Sequence, residues 1–122
     1  MLFYARKEQR TMRTILATLL GLFLAAPALG AMAKNPFNDR VLHLSLADRN
    51  GALRRAVTLD DQKCGRLAKS AFRGLYGNLG LWAVRCVPGG DYGVFLGPDG
   101  TVQVRGCADM AALKLPACGK LD

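Results

Sequence analysis

Four cysteines, Cys64, Cys86, Cys107 and Cys118, constrain this 122-residue chain more than any other feature. Their gaps of 22, 21 and 11 residues contain no C-x2-C pair, and the single histidine, His43, stands apart from them. A zinc site and a thioredoxin-like redox motif both need closer ligands than that. An even cysteine count in a short exported chain points instead to two structural disulfides. They answer a physical need, because a domain of this size builds a marginal core and each bridge adds about 2–4 kcal/mol.

The N-terminus supplies the reason to expect export. Arg6, Lys7, Arg10 and Arg13 precede an uncharged apolar run, Thr14 to Ala26, and then Pro27 and a string of small residues. A basic start, an apolar stretch and a small-residue cleavage site describe a secretory signal peptide. Two cuts fit: Ala31-Met32-Ala33 before Lys34, which is preferred, and Ala28-Leu29-Gly30 before Ala31. Met12 is an alternative start to Met1. The rival is an uncleaved anchor, since Thr14 to Ala33 is 20 residues without a charge, about the length of a spanning helix. Pro27 favours cleavage, which leaves no stable membrane span and a periplasmic or secreted protein. The domain organisation is then a signal peptide, 1–33, and one small domain, 34–122. The chain carries a formal +8, and Lys34 to Asp122 has 13 Lys and Arg against 8 Asp, a net of +5 with no Glu.

Patterning along 34–122 predicts an α+β domain. Val41 to Ala47 alternates, with Leu42, Leu44 and Leu46 on one face, as a half-buried strand does. Asn50-Gly51 is a hairpin signal, and Leu53 to Thr58 is a second strand, with a short helix as its rival. Thr58-Leu59-Asp60-Asp61 reads as a capped helix start. From there Cys64, Leu67, Ala68, Ala71, Phe72 and Leu75 recur at helical spacing, and Gly74, Gly77 and Gly80 close the helix. Leu81–Val87, Tyr92–Leu96 and Thr101–Arg105 read as three strands joined by Pro88-Gly89-Gly90-Asp91 and Gly97-Pro98-Asp99-Gly100. Loops this short make them an antiparallel meander. Cys107 to Leu115 contains a helical turn.

The expected architecture is therefore one amphipathic helix packed on a three-stranded antiparallel meander, with an N-terminal hairpin and disulfides for support. Trp82 sits at the core, under Leu67, Ala71 and Leu75. The preferred bridges are Cys64–Cys86 and Cys107–Cys118. A helix from Cys64 to Leu75 advances roughly 16 Å, and a strand from Leu81 to Cys86 returns about 17 Å, which brings the first pair together. Cys64–Cys118 with Cys86–Cys107 remains the alternative.

Catalytic constellations are weak. His43 falls on the polar side of its predicted strand, and neither Ser45 nor Ser70 lies in a nucleophile elbow. Asp60 and Asp61 read as helix-cap and dipole partners. The glycine pairs lack the strand–loop–helix setting of a phosphate cradle. No cofactor, metal site or enzyme activity is expected. One charged feature stands out: Lys63, Arg66, Lys69 and Arg73 share one side of the predicted helix, with no acid between Cys64 and Leu81. Such a stripe suits an anionic surface or an acidic protein partner. Nucleic acid is not expected, because no aromatics interleave with the charges. The plain alternative is a solvated helix face.

The run Trp82-Ala83-Val84-Arg85-Cys86, Tyr92-Gly93-Val94 and Asp99-Gly100…Val104…Cys107 resembles small exported bacterial proteins of unknown function with a W-x-V-x-C…Y-x-V…DG…C pattern. The resemblance spans about residues 64 to 118. It implies export and a disulfide-bonded α+β domain, and attaches no activity. Arg55-Ala56-Val57-Thr58-Leu59, followed by helix and sheet with four cysteines, is also similar to secreted subtilisin-inhibitor-like proteins, but Asp60 stands where their cysteine follows that strand. Two functions are carried forward. One is a small exported, non-catalytic binding or accessory domain with an unknown partner. The other is a protease inhibitor presenting residues 87–92.

Overall fold

Two side-chain caps decide the first third of the domain. Asn35 Oδ1 accepts the backbone N–H of Asn38 at 2.9 Å, and Pro36 occupies the first turn, where its missing N–H costs nothing. Helix α1 (Pro36–His43) starts there. Ser45 Oγ accepts from Asp48 N at 3.2 Å and opens α2 (Leu46–Leu59). The computed structural model describes residues 34–122; the expected signal peptide, its cut and the choice between Met1 and Met12 lie outside the described residues.

Helices thus replace the N-terminal hairpin expected from the sequence. The alternating Leu42, Leu44 and Leu46 straddle the end of α1, its cap and the start of α2. Asn50-Gly51 lies inside α2 rather than in a turn. Its glycine costs a helix about 1 kcal/mol, against which α2 buries Leu53, Ala56 and Val57. Leu53 to Thr58 follows the helical alternative.

The second correction concerns residues 60–75. Asp60 and Asp61 end α2 rather than start a helix: Asp60 is its C-cap and Asp61 adopts φ +59°. The following segment is strand β1 (Arg66–Tyr76), paired antiparallel with β2 (Leu79–Val87). Then come β3 (Gly90–Leu96) and β4 (Val102–Gly106), giving a four-stranded meander ordered β1-β2-β3-β4 in place of three strands. Irregularities at Leu67/Lys69 and Phe72/Leu75 shift the register of β1. An extra residue at a bulge resets strand parity, so Leu67, Ser70, Phe72 and Leu75 meet β2 at intervals of three and two, which imitates a helix.

The sheet is covered on both faces. On one, Val41, Leu53 and Val57 of the helices bury Trp82, Val84, Val94 and Val104. Trp82 is 1 % exposed; its ring lies 5.1 Å from that of Phe72, and its Nε1–H donates to Asn38 Oδ1 at 2.7 Å. It is the core residue expected, but α1 and α2 cover it, while Ala71 faces the other side and Leu75 is exposed. A Cβ on Gly80 would collide with the Asn38 carboxamide, so this close approach needs glycine. On the opposite face Leu81, Ala83 and Phe95 pack under a C-terminal tail through Met110, Cys118 and Leu121. The tail's only helical piece is a 3-10 turn at Cys107–Asp109.

The bridges are Cys64–Cys86 and Cys107–Cys118, with Cα separations of 4.9 and 5.7 Å. The helix-length reasoning behind that pairing does not apply. Leu67 stands opposite Cys86 across β1 and β2, which brings Cys64, three residues earlier, to the end of β2. Cys86 belongs to the helix-side core and Cys107 to the tail side, so the sheet itself separates the alternative pair. Among the described residues no helix is long and apolar enough to cross a membrane.

Candidate functional site

The basic residues picked out by sequence do not form a helix face. Lys63 precedes β1 and is exposed. Arg66, Lys69 and Arg73 lie on β1, an edge strand, with Arg66 opposite Val87 and Lys69 opposite Arg85. Arg73 is already engaged: its Nε donates to Cys118 O at 2.6 Å and its Nη2 to Lys120 O. What looked like a free cationic stripe is a bent strand edge with one of its charges holding the tail.

Other candidates resolve into structural roles. His43 is exposed, its Nδ1 2.6 Å from the Asp39 carbonyl oxygen. The Ser70 hydroxyl donates to Asn50 Oδ1 at 2.8 Å, and Ser45 caps α2. Asp60 Oδ2 accepts the Val104 N–H at 3.0 Å and ties the end of α2 to edge strand β4. Among the described residues no three His, Cys, Asp or Glu side chains gather as a metal site would require. No buried side-chain polar atom lacks a hydrogen-bond partner there.

The feature that the sequence reading missed is a groove of about 440 Å³ on the helix side. From α1 it takes Phe37, Arg40 and Val41, with the cap residue Leu44. From α2 it takes Ala52, Leu53, Arg55, Ala56 and Leu59. Leu96 of β3, Gly100 of the β3–β4 turn and Val102 of β4 form its floor and far end. Both helices contribute through one pattern. Phe37-x-x-Arg40-Val41-x-x-Leu44 and Ala52-x-x-Arg55-Ala56-x-x-Leu59 each place residues i, i+3, i+4 and i+7 on a single helical side, with arginine third after the first. Leu59 is 81 % exposed, so an apolar wall continues out to solvent.

A second set of contacts fixes the angle between the helices. Arg49 Nη2 donates to Leu42 O at 2.8 Å and to Leu44 O at 3.3 Å, closing the carbonyl end of α1. Its guanidinium carbon lies 5.4 Å from the Trp82 ring centroid. Asn35 Nδ2 donates to Leu96 O at 2.7 Å and to Asn78 O at 2.8 Å, docking the start of α1 on the sheet. The groove is therefore framed by two helices with hydrogen-bonded ends, and the β3–β4 turn closes its far end. Recognising the shared arginine spacing would have revealed it, but only once residues 36–59 were read as helices. No protein family, curated protein or solved structure matches this chain.

Proposed function

We propose that the chain is a small exported, non-catalytic binding domain whose ligand site is the groove between α1, α2 and the β3–β4 turn. The observation that carries this reading is the groove itself. Its volume lies within the roughly 300–1,000 Å³ range of small-molecule sites, and it is apolar with a few polar groups, as such sites are. Export is supported by the composition of residues 1–33 and by two bridges of a kind that persists in oxidising compartments.

The inhibitor reading gains no comparable support. The turn between β2 and β3 is only Val87 to Gly89, since Cys86 already pairs with Gly90. Gly65 N donates to Pro88 O at 2.9 Å, and the Tyr92 hydroxyl donates to Lys63 O at 3.1 Å. Residues 87–90 are exposed, but a turn this short, tied at Pro88 and Tyr92, offers a protease no extended stretch. Incubation with a panel of serine proteases is expected to leave all of them active.

A neutral apolar fluorophore, N-phenyl-1-naphthylamine, tests the groove. Saturable one-to-one binding is expected, weakened by about tenfold or more in Ala52→Trp, which fills the groove from α2. Leu59→Asp, at an exposed position, serves if the tryptophan disturbs folding. Failure of the wild-type protein to bind, or undiminished binding in both variants, overturns the reading. Export is tested by N-terminal sequencing of the native protein, which is expected to begin at Lys34 or Ala31; an intact Met1 or Met12 terminus in the membrane fraction contradicts it.

A further inference from the structure

We infer that the groove takes a long-chain carboxylate, its alkyl chain on the apolar walls and its carboxylate bound by Arg40 and Arg55. The inference rests on the groove being the binding site and adds what distinguishes its ligand. Among the residues lining it there are two arginines and no acid. Neither arginine forms an ion pair among the described residues, where the ion pair is Arg85–Asp91. Arg40 is partly held in place: its guanidinium carbon lies 5.8 Å from the Phe37 ring centroid, so the cation rests on the groove's own wall. A guanidinium is the side chain best shaped for a carboxylate, which it can meet with two parallel hydrogen bonds.

Size and charge separate this occupant from the other two candidates. A folded partner would need about 20–30 residues a side, most of them outside the groove, whereas both arginines and the apolar walls lie within it. A second copy meeting this face about a two-fold axis would bring the Arg40 and Arg55 rim of one copy to the same positive rim of the other. A single alkyl chain with one negative head needs only what is present: an apolar trough and an unpaired cationic rim. The repeated helical spacing explains why both arginines serve one groove, since each stands beside the apolar residues of its own helix.

Displacement of N-phenyl-1-naphthylamine provides the test, with two ligands of equal chain length and opposite head charge, laurate and dodecyltrimethylammonium, each below its micelle concentration. Laurate is expected to displace the fluorophore at about tenfold lower concentration or less. The preference is expected to shrink with salt as exposed charges are screened. Arg40→Gln with Arg55→Gln is expected to abolish the preference, read as the ratio of the two displacing concentrations so that any change in fluorophore affinity cancels. Equal displacement by both ligands, a preference for the cation, or a laurate preference that survives the double substitution overturns the inference while the groove reading stands. Absence of fluorophore binding overturns the groove reading itself. A groove that becomes inaccessible as protein concentration rises, with a matching dimer in sedimentation, assigns the face to a second copy and also overturns the inference.

Discussion

The two faces of the sheet are covered by segments built on opposite principles. Residues 35–60 fold into two capped helices that satisfy most of their own backbone groups, so the sheet need only offer them apolar surface and a few polar anchors such as Trp82 Nε1–H to Asn38. Residues 107–122 contain one 3-10 turn and little other regular structure. Their carbonyls must find donors elsewhere. The sheet provides them: Arg73 reaches Cys118 O and Lys120 O, and Arg85 Nη1 reaches Leu121 O at 3.0 Å. The bridge placement follows the same division. Cys64–Cys86 joins the segment leading into β1 to strand β2 beneath the helical layer, whereas Cys107–Cys118 lies within the tail layer and closes a short loop. A layer without its own hydrogen-bonded repeat is held by side chains and a covalent tie.

The largest expected effect is on the helical side. Trp82→Ala removes the centre of that core and strands the Asn38 carboxamide, and urea unfolding should show a loss of about 3–5 kcal/mol. Met110→Ala is the counterpart under the tail, where about 2–3 kcal/mol is expected because the tail can settle into part of the space. A larger loss for Met110→Ala would invert the comparison. Next come the bridges. In the chain-entropy picture the separations of 22 and 11 residues correspond to about 3.4 and 2.8 kcal/mol. Paired Cys→Ser substitutions should therefore differ little in global stability. They should differ in location: hydrogen exchange is expected to rise most beyond residue 106 when Cys107–Cys118 is removed.

What the sequence made legible follows from the same physics. Strands β2, β3 and β4 pair without a register shift, with Pro88-Gly89 and Pro98-Asp99-Gly100 marking their ends, so both period and punctuation agree. β1 was hidden because its bulges break the period of two into steps that resemble a helix. The helices are hidden because three leucines alternate across the two-residue break between them, a signal that overrides the short capping motifs Asn35-Pro36 and Ser45…Asp48. The groove went with them. Arg40 and Arg55 acquire a common side only when both segments are helical. The tail's dependence on Arg73 had no local signal at all, since donor and acceptors lie 45 and 47 residues apart.

Arg73→Met sharpens the comparison at a smaller scale. It keeps much of the aliphatic stem and removes two donors, so about 1–3 kcal/mol of stability should be lost. Limited proteolysis should then cut within residues 107–122 before it reaches α1 or α2. Equal protection of the tail in wild type and variant would mean that the disulfide alone holds this layer.

The smallest expected effect is the response of the tail face to acid. Arg85 and Asp91 pair across β2 and β3 through two hydrogen bonds of 2.9 and 3.0 Å. That hydrogen bonding, helped by the Arg85 charge, holds the Asp91 carboxyl below its ordinary value despite some desolvation. A depressed carboxylate pKa stabilises the fold above the unfolded value, about 3.9, and the contribution is lost as pH falls toward the folded value. Both side chains are more than a third exposed, so solvent screening keeps the pair's contribution small. Asp99, in the turn beside the groove, is lowered in the same direction by the Thr101 hydroxyl and backbone N–H. The two faces thus lose a carboxylate in the same acid window but through different partners. Asp91→Asn should flatten the fall in the urea midpoint below about pH 4 and remove the acid-induced rise in tail hydrogen exchange, since Arg85 also holds Leu121 O. Asp99→Asn should flatten the midpoint without altering exchange beyond residue 106. If Asp91→Asn leaves both the slope and the tail exchange as in wild type, the Arg85–Asp91 pair plays no part in holding that face.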